Sequence, residues 1–224
     1  ESRCITVPQL SDEELTSLST QVPKLPQLLG NEKLRELLRS LKYLDLAVTL
    51  LRKTPDDLAA ASLVEFKTQL WKYVVEDARN QQDATLPRKR GRAFQAIVLR
   101  RAQQLAMFVG AEDQDDAALV ALVRDDLLFQ NTRETEFSPT HDVLEDLALV
   151  RFIHGQWRPE QGAATFFAAI GNSPALRRGF RLWVEEMVTE DAASVLPLLG
   201  QVLGAASLEQ YWLDETLVAV FRSS

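Results

Sequence analysis

Two histidines and a scatter of paired acids are the residues of this chain best suited to chemistry. His141 is followed directly by Asp142, and a histidine at a helix start can present an imidazole donor to an anion such as a phosphate oxygen. The same pair also fits a plain helix start at which Asp142 supplies the cap, and both readings stay open on spacing alone. His154 has no Cys or acid at ligand spacing, so it reads as a surface residue and no metal site is expected. Asp45, Asp125, Asp126, Glu145 and Asp146 include the adjacent carboxylates that acid–base catalysis uses. No nucleophile or substrate pocket accompanies them, and they read as a solvated face. Leu86-Pro87-Arg88-Lys89-Arg90-Gly91-Arg92, extended by Arg100 and Arg101, is the dense basic stretch. Arg88, Lys89, Arg90 and Arg92 would suit a phosphate backbone or an acidic partner; the competing reading is a solvated loop balanced by the acids of 112–116.

No Gly-x-x-x-x-Gly-Lys-Ser/Thr occurs in the sequence, nor a hydrophobic strand ending in paired acids. A phosphate cradle and a magnesium site need those parts, so the chain is not expected to be an enzyme by itself or to hold a cofactor of its own. Its net charge of -7 argues against general nucleic-acid binding. The single cysteine, Cys4, points to a reducing, cytoplasmic setting. No apolar run reaches the ~20 residues that span a bilayer, and the first residues have no signal-peptide layout.

The elements that must position these residues are mainly helical. Hydrophobic residues make up 46% of the 224, with Leu and Ala dominant and only nine Gly and nine Pro, a balance that favours helix over sheet. Ile5 and Val7 read either as a strand entered in mid-domain, as in a piece of something longer, or as a short ordered tail. Ser11 with Asp12, Glu13 and Glu14 opens a helix, Asn31 caps another, and 41–51 is apolar nearly all round. Thr54 and Pro55 restart a helix, and 62–80 is amphipathic. Residues 81–88 are polar and form the joint between domains. A strong helix is expected over 92–109, closed by Gly110, and another over 113–126. Residues 127–138, with Phe129 and Phe137 around a polar Thr132-Arg133-Glu134 tip, form a β-hairpin docked on helices 92–109 and 142–154. Helix, helix, hairpin and the helix from His141 is a winged-helix layout. Beyond Trp157, helices over 161–170, 174–188, 192–203 and 208–221 have lengths suited to stacked pairs. Phe166, Phe167, Phe180 and Trp183 sit at core spacing.

Three stretches resemble a family, the signal-transduction ATPases that include the nucleotide-binding-and-oligomerisation and disease-resistance proteins. Ile5-Thr6-Val7-Pro8-Gln9-Leu10-Ser11-Asp12-Glu13-Glu14 is similar to the strand and helix start that leave the ATPase core for its helical lid. Residues 34–51 are similar to the lid helices, although Ser40-Leu41-Lys42 stands where the family carries a nucleotide-contacting proline. Phe137-Ser138-Pro139-Thr140-His141-Asp142-Val143-Leu144-Glu145-Asp146-Leu147-Ala148 resembles the winged-helix signature of the family.

The resemblance covers about residues 1–155 and implies a helical lid (1–85), a winged helix (86–157) and a helical array (158–224). It implies a regulatory segment in which His141 and Asp142 sense ADP or ATP bound by an ATPase core upstream in the same polypeptide. The C-terminal helices would engage protein partners, with no membrane association. A DNA-binding winged-helix regulator and a purely structural helical scaffold are the rival readings. The first requires a basic recognition helix, whereas Glu112, Asp113, Asp115, Asp116, Asp125 and Asp126 crowd 112–126 against Arg124. The second requires no hairpin at 127–138.

Overall fold

Leucine-rich helices dominate the computed structural model: twelve α-helices and three short strands among the described residues, which are 9–54, 62–79, 83–131, 135–204 and 208–223. The fold is mainly α with one small antiparallel sheet, the class expected from composition. The chain divides into two units, Glu1–Arg88 and Lys89–Ser224. The strand proposed at Ile5 and Val7, the helix start at Pro55 and the hairpin tip Thr132-Arg133-Glu134 lie outside the described residues.

In the first unit, α1 (Asp12–Gln21) opens with a complete capping box: the Ser11 hydroxyl accepts from the Glu14 amide, and the Glu14 carboxylate accepts from the Ser11 amide. Helices α2 (Leu25–Leu29), α3 (Glu32–Leu38), capped by Asn31, and α4 (Leu41–Lys53) follow. Helix α4 is amphipathic rather than buried all round. Leu44, Leu46, Ala47, Leu50 and Leu51 face the core, while Leu41 is half exposed. Thr54 is the C-cap of α4, and its hydroxyl bonds the Leu50 carbonyl at 2.9 Å. The amphipathic stretch from Ser62 is not one α-helix. A second capping box, Ser62 with Glu65, opens α5 (Leu63–Gln69), which widens into a π turn, Leu70–Val75. There the Glu76 amide reaches back five residues to the Trp71 carbonyl, and Leu70, Trp71, Val74 and Val75 are all buried.

Helix α6 (Leu86–Gln104), which belongs to the second unit from Lys89 onward, begins six residues earlier than the sequence pattern suggested, so the polar joint is shorter. It stops at Leu105, whose left-handed φ of 53 ends the helical run. The residues beyond it form β1 (Val109–Gly110), so Gly110 is a strand residue and not a helix cap. After α7 (Asp116–Arg124), the hairpin appears as β2 (Leu128–Asn131) and β3 (Glu136–Pro139). Strand β3 is central, in the order β1-β3-β2, with Phe137 opposite both Val109 and Gln130. The hairpin packs on α7 and α8 (Asp142–Gln156).

From α8 the chain alternates between two rows. Helices α8, α10 (Pro174–Glu190) and α12 (Gln210–Arg222) pack side by side, and α9 (Ala163–Ile170) and α11 (Ala192–Gly204) form the second row. Gly179 permits the close crossing of α10 on α8: a Cβ there would lie 2.9 Å from the Leu149 Cβ. The shared core holds Val150 and Ile153 of α8 with Phe166, Phe180, Trp183, Val195 and Trp212. Phe167 stacks on Trp212 at 4.2 Å between ring centroids.

Candidate functional site

His141 is the N-cap residue of α8, in extended conformation, and no side-chain hydrogen bond from it caps the helix. Its backbone carbonyl accepts from the Leu144 and Glu145 amides. The adjacent Asp142 is exposed, and its carboxylate accepts from the Val143 amide at 2.9 Å. The imidazole is therefore half-buried at a helix start without being consumed by capping.

The segment ahead of His141 is fixed from both sides. The Thr140 amide donates to the Leu127 carbonyl at 3.1 Å, and its hydroxyl bonds the Asp126 carbonyl. One turn into α8, Glu145 pairs with Arg101 of α6 at 2.8 Å, both side chains less than a fifth exposed. That pairing matches one of the two acids in the first turn, so the helix N-terminus is less negative than the sequence suggests.

Arginines of α6 organise this unit. Arg90 is 0% exposed and donates to Asp125, the C-cap of α7, at 2.9 Å. Arg100 donates to the Gly110 carbonyl at 2.8 Å and pairs with Asp113, and Arg101 also donates to the Met107 carbonyl. These bonds tie the turn into β1 to the helix before it. The basic stretch is thereby divided. Arg90 is buried and offers no charge to a partner, and Lys89 pairs with Asp115 at 2.7 Å. Arg88 and Arg92 are exposed, Arg88 in the first unit and Arg92 in the second.

The paired acids are not a solvated face throughout. Asp125 binds Arg90 and Arg124, Glu145 binds Arg101, and Asp146 binds Arg178 of α10 at 2.6 Å. Burial raises the Asp146 carboxyl above its usual range despite that arginine. Hydrogen bonds from Arg100 and from Lys89 lower Asp113 and Asp115 respectively. His154 is exposed, and its Nδ1 accepts the Trp183 indole N–H at 3.3 Å, which fixes the other nitrogen as the protonated one in a neutral ring. The internal roles of Arg90 and His154 depend on partners far along the chain and have no local signal. Around α7, Glu112, Asp113 and Asp116 are exposed, an unfavourable surface against phosphates.

Among the described residues, no group of three or more His, Cys, Asp or Glu side chains is placed to hold a metal, and no helix is long and apolar enough to cross a membrane. A cleft of ≈ 270 Å³ in the first unit is lined by Val22, Lys24, Val48, Leu51 and Arg52 among others. Comparison with known proteins returned no matching family and no matching characterised protein.

Proposed function

We propose that this chain is the non-catalytic regulatory arm of a signal-transduction ATPase. It would couple the nucleotide state of an ATPase core in the same polypeptide to a sensor or repeat region, in the cytoplasm. The observation that carries this reading is His141: it heads α8 between the β-hairpin and α6, and its ring is left uncommitted by the helix cap. A donor so held is preorganised for an ADP phosphate, and the helix start around it favours an anion. ATP or ADP would be held by the core, and this chain would contribute one contact to the ADP-bound resting form.

The coupling route is physical. Helix α8 carries His141 at one end and buries Val150 and Ile153 in the same core as α9 to α12. A partner that shifts the C-terminal helices would thereby move the end of α8. It would change the population of the closed state by its difference in affinity for the two arrangements.

Calorimetry tests the division of labour. The isolated chain should give no saturable heat with ADP or ATP, whereas a polypeptide carrying the upstream core should bind ADP at one site. Saturable micromolar ATP binding by the isolated chain, displaced by ADP, overturns the reading.

A further inference from the structure

We infer that the outer face of the β1-β3-β2 sheet is a docking surface for an arginine- or lysine-bearing segment of a protein partner. Register defines that face. Val109, Phe137 and Leu128 alternate inward and are buried, so Gly110, Ser138 and Phe129 point outward. One register step before the Val109–Phe137 pair, Phe108 stands opposite Ser138 on the outer side. The Phe108 and Phe129 rings meet from either side of β3, their centroids 5.8 Å apart and their planes at 57°. Ser138, between them, is thereby only 7% exposed, whereas Phe129 keeps 57% of its surface in solvent. The turn that delivers Phe108 is also held open. Leu105 adopts its left-handed φ of 53, Arg101 donates to the Met107 carbonyl, and the Leu105 and Met107 side chains are each 71% exposed.

The next row across the sheet decides what such a face receives. Glu112 folds back over Gly110: its carboxylate oxygens lie 2.7 and 2.8 Å from where a Gly110 Cβ would stand, in space that glycine leaves open. Gly110 pairs with Glu136, and Glu136 with Asn131, so a second carboxylate side chain stands beside the first on the outer face. Exposed Asp113 and Asp116 carry the negative charge on toward α7. Arg100, the cation at this edge, is engaged by the Gly110 carbonyl and by Asp113. An exposed aromatic pair can stack nucleobases, but these carboxylates would repel the phosphates that accompany them. A guanidinium or ammonium group satisfies both rows at once. Its stem or planar face packs on the rings, and its N–H groups donate to Glu112. Successive outward residues of a strand lie about 7 Å apart, so one long basic side chain reaches from the ring pair to the carboxylate.

Amide NMR of the chain tests the assignment, with a short blocked peptide alternating leucine and arginine as the probe. Saturable shifts are expected at residues 108–112, 128–131 and 136–138. The same peptide with citrulline in place of arginine should bind about tenfold more weakly or worse. Phe129→Ala should weaken the arginine peptide about tenfold. Glu112→Gln should weaken it about three- to tenfold and flatten its dependence on salt. Gly110→Ala separates position from charge. Its methyl displaces the Glu112 carboxylate while the net charge stays at -7, and it should weaken binding as Glu112→Gln does. Phe129 and Glu112 are exposed, so both variants should melt as the wild type does, and Glu112→Gln carries the test if Phe129→Ala fails to fold. Absence of saturable binding, equal affinity for the citrulline peptide, shifts confined to other residues, or binding that no variant weakens overturns the inference. So does tighter binding of oligothymidine, which would make the face a nucleic-acid surface. Concentration-dependent shifts at the same amides without peptide also overturn it, since a second copy would then be the occupant.

Discussion

Replacing Arg90 discriminates between a binding residue and a structural one. Its guanidinium is 0% exposed, and its partner Asp125 is 16% exposed and also meets Arg124 at 3.1 Å. Removing one member of a buried pair typically costs about 3–5 kcal/mol, because the other charge stays desolvated. The residual exposure of Asp125 and its second arginine place Arg90→Met near the lower end, at about 3 kcal/mol. For a unit of this size that lowers the melting temperature by roughly 6–12 °C. Arg92→Ala, on an exposed position of the same helix, should stay within about 0.5 kcal/mol. Urea denaturation followed by tryptophan fluorescence reads both, since Trp157, Trp183 and Trp212 are buried in this unit. The double variant Arg90→Met with Asp125→Leu should recover most of the loss, because the desolvated charge has then gone as well. An Arg90→Met protein as stable as Arg92→Ala would refute the reasoning and return Arg90 to the candidate partner surface.

Three further outcomes follow from the same structure. Ser11→Ala and Ser62→Ala each remove half of a capping box and should cost about 1 kcal/mol in chemical denaturation of the first unit. The carboxyls of Asp113 and Asp115 are depressed below their ordinary 3.8. Their contribution is thus full above that value and lost as pH falls through the depressed one, so a double Asn variant should have a shallower acid limb in a melt-versus-pH series. Asp146 has the opposite sign. Its carboxyl is raised, so its contribution is full below 3.8 and declines as pH rises through the raised value, a slope that Asp146→Asn should remove.

Local features were legible because their signals are local. The Ser11 and Asn31 caps, and the β2–β3 hairpin with Phe129 and Phe137 around a polar tip, lie within a few residues of their causes. Strand β1 was not legible: two residues, Val109 and Gly110, pair with Phe137 and Glu136, and in sequence they continue a helical apolar pattern. Leu105 ends α6 in a conformation that nothing about leucine predicts. Arg90 sits in a cluster that reads as surface, and its burial depends on Asp125, 35 residues away. For the candidate site, the residue type and the helix start at His141 were readable. The clamp by Thr140, Arg101 and Glu145 that holds it was not, because Arg101 and Glu145 meet only across α6 and α8.

The most direct test of the regulatory reading is ADP release from the polypeptide that joins the ATPase core to this chain, comparing wild type with His141→Ala. A charge-assisted donor to phosphate contributes about 1–3 kcal/mol, so the variant should release ADP about 5- to 150-fold faster and signal without its trigger. The isolated chain should melt at the same temperature with and without the change, since the His141 side chain makes no capping bond. Unchanged ADP release together with a destabilised isolated chain would make His141 a packing residue and contradict the account.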